Sequence, residues 1–499
     1  MSSFYGLNIA KTGLFLSQRA LNVTGHNISN VNTDGYTRQR IVAQAVDPAN
    51  AMTFLMPSGT GKVGAGVQVQ VLDQIRDSFI DKELRREYAM NSMLEVKADA
   101  YIYMEKIFDE TVSSSLSVAL KLFANSFQEF ELNVDNSSFR VNVRSNLNLL
   151  TDTLNHYYTQ LEELQKVQND SMKATVDRIN DYTQAIAEFN KQIHQYELSG
   201  DQANDLRDKR NQLVDNLSKL VDIEYVYDDL DRLTITLGGA AIVNHQNHAR
   251  LKVVGDQTGV ETGQPDFYRV CLDDGLNTEI HYSAGELQAY RDMRDGNSPT
   301  HMGIPYMIGQ LNTLARSIAR EFNDINSNGW TYPHDGLPSM AGKRLFHVDG
   351  NPPDYSTVSA KNIAISQDFL NDVYVLAASS ARIDANNPYD TGNNENALRI
   401  LELLASENVA DVGNFEAFLS DLVVELGAAS GGAQNLYTSQ AAVVSNLEYR
   451  KESISGVSID EEVVNMISYQ HMYAASSRMI TAIDEALDIL INRTGLVGR

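Results

Sequence analysis

The sequence predicts an α+β fold: an elongated, multidomain molecule with paired terminal coiled-coil helices, a long α-helical bundle and a β-rich outer middle. Three observations predict it. Heptad stripes occur near both termini, and no proline interrupts either. No proline lies between Pro57 and Pro265, and Gly200 is the sole glycine between Gly66 and Gly238, so helices can run long there. From Asp222 the apolar period changes from helical to alternating, the pattern of half-buried strands.

Composition narrows the function. The 499 residues exceed the rough guide of ~100–200 per domain, so several cores are expected. Lys plus Arg is 40 and Asp plus Glu is 65, a net charge of −25. Such a surface repels phosphates and anionic lipid, which argues against nucleic acid and membrane as partners. No run reaches the ~18 apolar residues of a membrane span, and Met1 to Ala10 lacks the basic cluster and apolar core of a secretory signal. The single cysteine, Cys271, cannot form an internal disulfide and reads as a small core residue.

The first helix follows from Leu7, Leu14, Leu21 and Ile28, spaced seven apart, with small Ala10, Ser17 and Thr24 between them. Asn27, Asn30, Asn32 and Asp34-Gly35 end it, because Asn, Asp and Gly favour turns. Residues 36–75 read as extended, with Val67-Gln-Val-Gln-Val71 alternating as a strand. Gly59-Thr-Gly61-Lys-Val-Gly64 has the G-x-G-x-x-G spacing, but a strand follows it instead of a helix, so it reads as a hairpin turn and not a dinucleotide site.

From Asp73 to Val221 the pattern is helical. Leu116, Leu120, Phe123, Phe127 and Phe130 form one stripe; Val143, Leu147, Leu150, Leu154, Tyr157, Leu161 and Leu164 form another, continued from Ile179 to Tyr196. Gly200-Asp201 turns the chain into Leu206–Leu220, giving antiparallel long helices. Ile223–Tyr227 and Leu233–Leu237 then alternate as strands, with more expected at 241–254 and 267–282. Ile308, Leu311, Ala315, Ile318, Phe322 and Ile325 restore a helix, residues 330–391 hold five of the ten prolines and read as loop and strand, and helices resume after Asn393.

The last helix starts at Ser458, with Glu461 three residues on as a capping box. Its stripe is Ile459, Val463, Met466, Tyr473, Ile480, Ile483, Leu487 and Leu490, with Gln470 and Ser477 as polar candidates for fixing register and Gly495 placed as a C-cap. The organisation is nested: a terminal coiled-coil unit of 1–34 plus 457–499, a helical bundle of 35–221, 300–330 and 392–456 carrying a short β-hairpin, and a β-rich outer unit of 222–299 plus 331–391.

Catalytic and metal signatures are absent. No H-E-x-x-H or G-x-S-x-G occurs, and His245 with His248 lacks a third ligand nearby. An enzyme is not expected, and no residue pattern asks for a cofactor.

Two segments carry a family resemblance. Asn27-Ile-Ser-Asn-Val-Asn-Thr-Asp-Gly-Tyr-Thr-Arg-Gln39, with Asn27, Asn30, Thr33, Gly35 and Tyr36 as its core, resembles the N-terminal signature of flagellar rod, hook and hook-associated axial proteins, and Gly66 to Phe79 continues it. Ser455-Gly-Val-Ser-Ile-Asp-Glu-Glu462, Tyr469-Gln470 and Tyr473 to Arg478 resemble the C-terminus of the hook-associated members, as does Asn204-Asp-Leu-Arg-Asp208 at the head of a helix. The resemblance implies a subunit of the hook–filament junction that assembles with itself into a ring. Its implied neighbours are hook protein, a second junction protein and flagellin. It also implies export by the flagellar type III apparatus to the extracellular flagellum, with a cytoplasmic chaperone on the C-terminal tail. Another axial protein (hook, rod or flagellin-like) and a cytosolic coiled-coil adaptor are the alternatives; cell fractionation separates the last, since an adaptor never enters sheared appendages.

Overall fold

The computed structural model describes residues 3–46, 64–109, 115–198, 200, 202–228, 232–255, 267–334, 336–350, 352–383, 392–406 and 409–493. The expected turn at Gly59–Gly64 and the cap at Gly495 fall, apart from Gly64, outside them.

Helix α1 (Ser3–Ser29) leads into a two-stranded antiparallel hairpin, β1 (Gln39–Ala45) and β2 (Val67–Gln74), with a bulge between Val42 and Ala43. Gly66 sits at φ +106°, a conformation open to glycine, and a Cβ there would collide with Thr12 of α1. The Thr12 hydroxyl accepts the Val67 N–H at 3.3 Å, so the hairpin lies against α1.

The breaker-free stretch forms α2 (Ser78–Ile107), α3 (Leu116–Leu132), the 61-residue α4 (Ser137–Glu197) and α5 (Asn204–Leu220). Asp77, Ser115 and Asn136 cap the first three, each accepting N–H bonds from the opening turn. Strands β3 (Glu224–Tyr227), β4 (Leu233–Leu237), β5 (Ala240–Asn244) and β6 (Asn247–His248) form one antiparallel sheet; β7 (Leu251–Gly255) pairs with β8 (Tyr268–Leu272). Then come α6 (Glu286–Asp295), a two-residue ladder of β9 (Asn297–Ser298) with β10 (His301–Met302), and α7 (Ile304–Ser327). The short α8 (Gln367–Asn371), α9 (Glu395–Ala405), the 41-residue α10 (Phe415–Ser455) and α11 (Ile459–Asp488) complete the chain, α11 relaxing to π turns over Ile489–Arg493.

Two large cores share α4. The first joins α3, the first half of α4, α7, α9 and the start of α10, around Phe123, Phe127, Phe130, Phe322, Phe346 and Phe415. Their rings meet edge-on or tilted, with centroids 5.0 Å apart for Phe123–Phe127 and 6.2 Å for Phe322–Phe415. The second joins Met172 to Ala187 of α4, α5, strands β4, β5, β7 and β8, and Leu287 of α6. Between Leu164 and Met172 the buried side chains of α4 are polar: Gln165, Gln168 and Asn169. Arg294, 2% exposed, reaches into this layer, donating to Asn169 Oδ1 at 2.9 Å and the Tyr268 carbonyl at 2.7 Å.

Residues 331–391 differ from the strand-bearing outer segment that their sequence suggests. Among those described they form isolated bridges, 3₁₀ turns and α8, and Leu345, Phe346, Ile363, Phe369 and Leu376 enter the first core, while the strands from β3 to β8 belong to the second. Prolines 333, 338, 352 and 353 remove the N–H groups that a ladder needs, leaving irregular backbone pinned by its apolar side chains. The Asn326 side chain satisfies part of that backbone, donating to the Lys343 and Val375 carbonyls and accepting the Ala377 N–H.

Candidate assembly site at the base of the terminal helices

Helices α1 and α11 pack antiparallel. A Cβ at Gly6 would lie 3.5 Å from Ile483, one at Gly13 would lie 3.1 Å from Ser476 Oγ, and Asn27 meets Glu462. The α11 seam therefore runs through Glu462, Tyr469, Ser476 and Ile483, seven apart. Opposite it, the buried positions of α1 are small or polar: Ala10, Ser17, Ala20, Thr24 and Asn27. Small side chains let the two backbones approach closely.

The sequence-derived stripe is divided by this geometry. Leu7, Leu14, Leu21 and Ile28 are half-buried on the flank of the seam, as are Met466, Ile480 and Leu487 of α11, while the half-buried Ile483 lies in the seam against Gly6. Ile459, Val463, Tyr473 and Leu490 are exposed, Ile459 by 51% and Leu490 by 59%. Gln470 and Ser477 also face outward, so they do not sit in the seam. Reading the stripe by hydrophobicity passes over Glu462, Tyr469 and Ser476; the signal that finds them is the seven-residue spacing back from Ile483.

The register is instead held by polar groups where α1 ends and α11 begins. Asn27, 1% exposed, uses its whole amide. Its nitrogen donates to the Gln39 carbonyl at 2.9 Å and to Glu462 Oε2 at 3.1 Å; its oxygen accepts from the Tyr36 hydroxyl at 2.8 Å and the Gln39 N–H at 3.1 Å. Glu462, 2% exposed, takes the Arg38 guanidinium through Nε at 2.8 Å, and Arg38 Nη1 reaches Glu461 at 2.6 Å. Ser458 caps α11 by accepting the Glu461 N–H, but the Glu461 carboxylate is drawn to Arg38 and not used to complete a capping box. The acidic first turn of α11 also matches the positive end of that helix.

The turn between α1 and β1 is built by its own motif residues. Asn30 donates to the His26 carbonyl, Thr33 donates to Asn30 Oδ1, and Gly35 takes φ +75°, where a side chain would be strained. Tyr36 then turns back over α1, its hydroxyl also 3.0 Å from His26 Nδ1. Burial, then Asp205, Asp208 and Glu462, push this phenol well above its ordinary range, so it remains a neutral donor to Asn27.

The Asn204–Asp208 motif at the head of α5 closes the network. Asp208 accepts the Thr37 N–H at 3.0 Å, the Thr37 hydroxyl at 2.7 Å and Gln74 Nε2 at 2.8 Å, while Asp205 accepts from Gln39 Nε2 at 3.0 Å and Asn204 donates to the Leu72 carbonyl at 2.9 Å. Burial pushes Asp208 up, against the pull of Thr37, Arg76 and Gln74. Below it, Asp215 binds Arg85 Nε at 2.6 Å and Lys451 at 2.9 Å, tying α5 to α2 and α10. Burial raises the Asp215 carboxyl, but Arg85 and Lys451 outweigh it and hold it below the ordinary range. A polar cleft of about 520 Å³ opens beside the network, between the 30–37 turn and α5 and α10.

The motifs at 27–39, 204–208 and 455–462, which carry the resemblance, thus meet at one point, though they lie far apart in sequence. The arrangement is a polar joint that ties the ends of α1 and α11 to the head of α5. Among the described residues no group of three His, Cys, Asp or Glu could hold a metal, and no helix is long and apolar enough to cross a membrane. His245 lies in the tight β5–β6 turn at φ 54°, and Cys271 is buried in β8.

The comparisons with known proteins agree with this geometry. A family described as the flagellar hook-associated protein FlgK helical domain matches residues 102–346. The flagella basal body rod protein family matches 7–37, and the flagellar basal body rod FlgEFG protein C-terminal family matches 452–493. Flagellar hook-associated protein 1 of Bacillus subtilis (strain 168) is 29% identical over 524 residues, covering 100% of both chains. Its namesake in Escherichia coli (strain K12) is 26% identical over 554 residues, covering 97% of this chain and 99% of that one. Among solved structures, the flagellar hook junction protein FlgK from Burkholderia pseudomallei shares the fold with a TM-score of 0.59 at 13% identity, over 75% of this chain and 100% of that chain.

Terminal helices that pair across the whole chain, above a joint made from rod-type motifs, define an axial structural component of the bacterial flagellum. Within that class, the chain belongs to the flagellar hook-associated protein 1 family.

Proposed function

We propose that this chain is the subunit of the ring that joins hook to filament. In this reading it assembles with copies of itself, with hook protein on one side and with a second junction protein and flagellin on the other. It leaves the cell through the flagellar type III apparatus, its C-terminal tail held beforehand by a cytoplasmic chaperone. The observation that carries the reading is the α1–α11 pair: it is seated on a rigid polar joint, yet most of α11 is uncovered. Glu462 is the buried residue of α11, while Ile459, Val464, Ile467, Met472 and Met479 are exposed. One uncovered face of that length in a helix calls for neighbours.

The same observation supports folding on assembly. Backbone ordering costs about 1–2 kcal/mol per residue, and burying one apolar side chain returns roughly 1.5–3 kcal/mol. With its apolar side chains exposed or half-buried, α11 is marginal on α1 alone and gains its remaining burial from neighbouring subunits. Rapid amide exchange across both helices of the free chain is the expected result; strong protection there would refute coupled folding. The function itself is tested by deleting the gene and viewing cells by electron microscopy. Hooks without filaments, with flagellin lost to the medium, are expected, and normal filaments would overturn the reading.

A further inference from the structure

We propose that the outward face of α10 between Leu426 and Leu447 is a docking surface for a second copy of this chain. The proposal rests on the junction reading only in taking the chain to be an assembling subunit. Three observations point to it.

The first is charge. Residues 426–447 contain no Asp, Glu, Lys, Arg or His, in a chain with 40 basic and 65 acidic residues. Copies of a chain with net charge −25 repel one another wherever acidic faces meet, so an uncharged stripe is where they approach without that penalty. A basic partner would instead select a carboxylate-bearing face.

The second is exposure. Beyond Leu426, which enters the first core, α10 packs against α2 through residues such as Val444 and Leu447, and the opposite side of the helix is exposed. Leu436 is 60% exposed and Val443 43%, and Tyr449, just beyond the stripe, is 77% exposed.

The third is a pair of adjacent glycines in mid-helix. Gly431 and Gly432 each destabilise the helix relative to alanine. Nothing within the molecule requires them, because a Cβ at either position would meet no atom within 4 Å. Glycine does allow another backbone to come close, and only a neighbouring molecule can use that space.

Size explains why the stripe acts within an assembly. It is about 33 Å long at 1.5 Å per residue and about 10 Å wide. Such a stripe offers less than half of the ~800 Å² that a stable complex takes from each partner. The terminal helices supply the rest, so the stripe alone brings copies together only weakly, at high chain concentration.

A photo-activated benzophenone amino acid placed at Asn435 or Ala442, with exposed Lys173 of α4 as control, tests the contact in purified hook–filament appendages. The expected result is a cross-link from 435 and 442, and not from 173, to a second copy of this chain. A cross-link to a different chain, or none, overturns the proposal. If the chain is missing from appendages, the junction reading fails by itself. The same probes on concentrated purified chain then decide the docking surface, copy-to-copy links confined to 435 and 442 supporting it and their absence overturning it. The double variant Gly431→Ala with Gly432→Ala separates docking from folding. A raised Tm with loss of the cross-link is expected; a raised Tm with undiminished cross-linking, or a lowered Tm, overturns it.

Discussion

At the scale of single residues, Arg38 and Asn27 hold the most. Each belongs to the turn motif, and each reaches Glu462 across more than four hundred residues of chain. Arg38→Ala leaves a buried carboxylate without its cation, a loss of about 3 kcal/mol for a broken buried pair. Under the proposed folding of the terminal helices on assembly, the expected outcome is unchanged Tm of the free chain and failed incorporation into appendages, read by quantifying the chain in sheared flagella. Normal incorporation would show that the joint is dispensable. Asp215 gives a pH dependence whose sign follows from its lowered carboxyl. Its contribution is complete above the ordinary value of 3.8 and lost as acid takes the pH down through the lowered one. Asp208 has the opposite sign: burial raises it, so its contribution is complete in acid and fades as pH rises through the raised value. Asp215→Asn is expected to flatten the acid limb of a Tm-against-pH curve and to lower Tm at pH 7, where Arg85 loses its carboxylate. An acid limb identical to that of the parent would count against the Asp215 assignment. None of these partnerships was legible in the sequence, because hydrogen bonds between distant polar residues leave no periodic trace.

At the scale of elements, periodicity reads well where one apolar face meets one core. The stripe from Val143 to Leu164, continued beyond Met172, is a single helix, and the alternation at Leu233–Leu237 is a strand buried at every second residue. It reads poorly where burial comes from small or charged side chains. Gly6, Gly13 and Ala20 line the real seam of α1, and hydrophobicity points past them to the leucines beside it. This difference is testable. Gln470→Leu with Ser477→Leu is expected to leave junction assembly unchanged, since both face away from α1. Ser476→Leu places a branched side chain against Gly13 and is expected to abolish pairing, measured by hydrogen exchange of α11 in assembled material. Assembly failing in the first variant and surviving in the second would reverse the seam assignment. The proline-rich 331–391 segment reads as loop and strand, but its described residues are anchored by side chains such as Asn326 and Phe346, which leave no alternating pattern.

At the scale of the whole molecule, one 61-residue helix threads two cores through a polar layer. Apolar contacts couple cooperatively and polar layers do so less, so the layer at Gln165, Gln168 and Asn169 is where the body divides on unfolding. Urea titration is expected to give two transitions, resolved by probes in α3 and in β4. Arg294→Met, which removes the bonds to Asn169 and Tyr268, is expected to move the second-core transition to lower urea by about 2 kcal/mol and to leave the first nearly unmoved. A single sharp transition in both proteins would show that the layer transmits folding and does not divide it.

The antiparallel closure of α1 on α11 has a further consequence. Asn27 and Glu462 are 435 residues apart. A chain cut short by a premature stop or a protease anywhere between them offers α1 nothing to close upon, even where the cut lies late enough to spare both cores. Under the proposed folding on assembly, the closure becomes a gauge of intactness: a damaged copy brings no α11 to complete and is not built in.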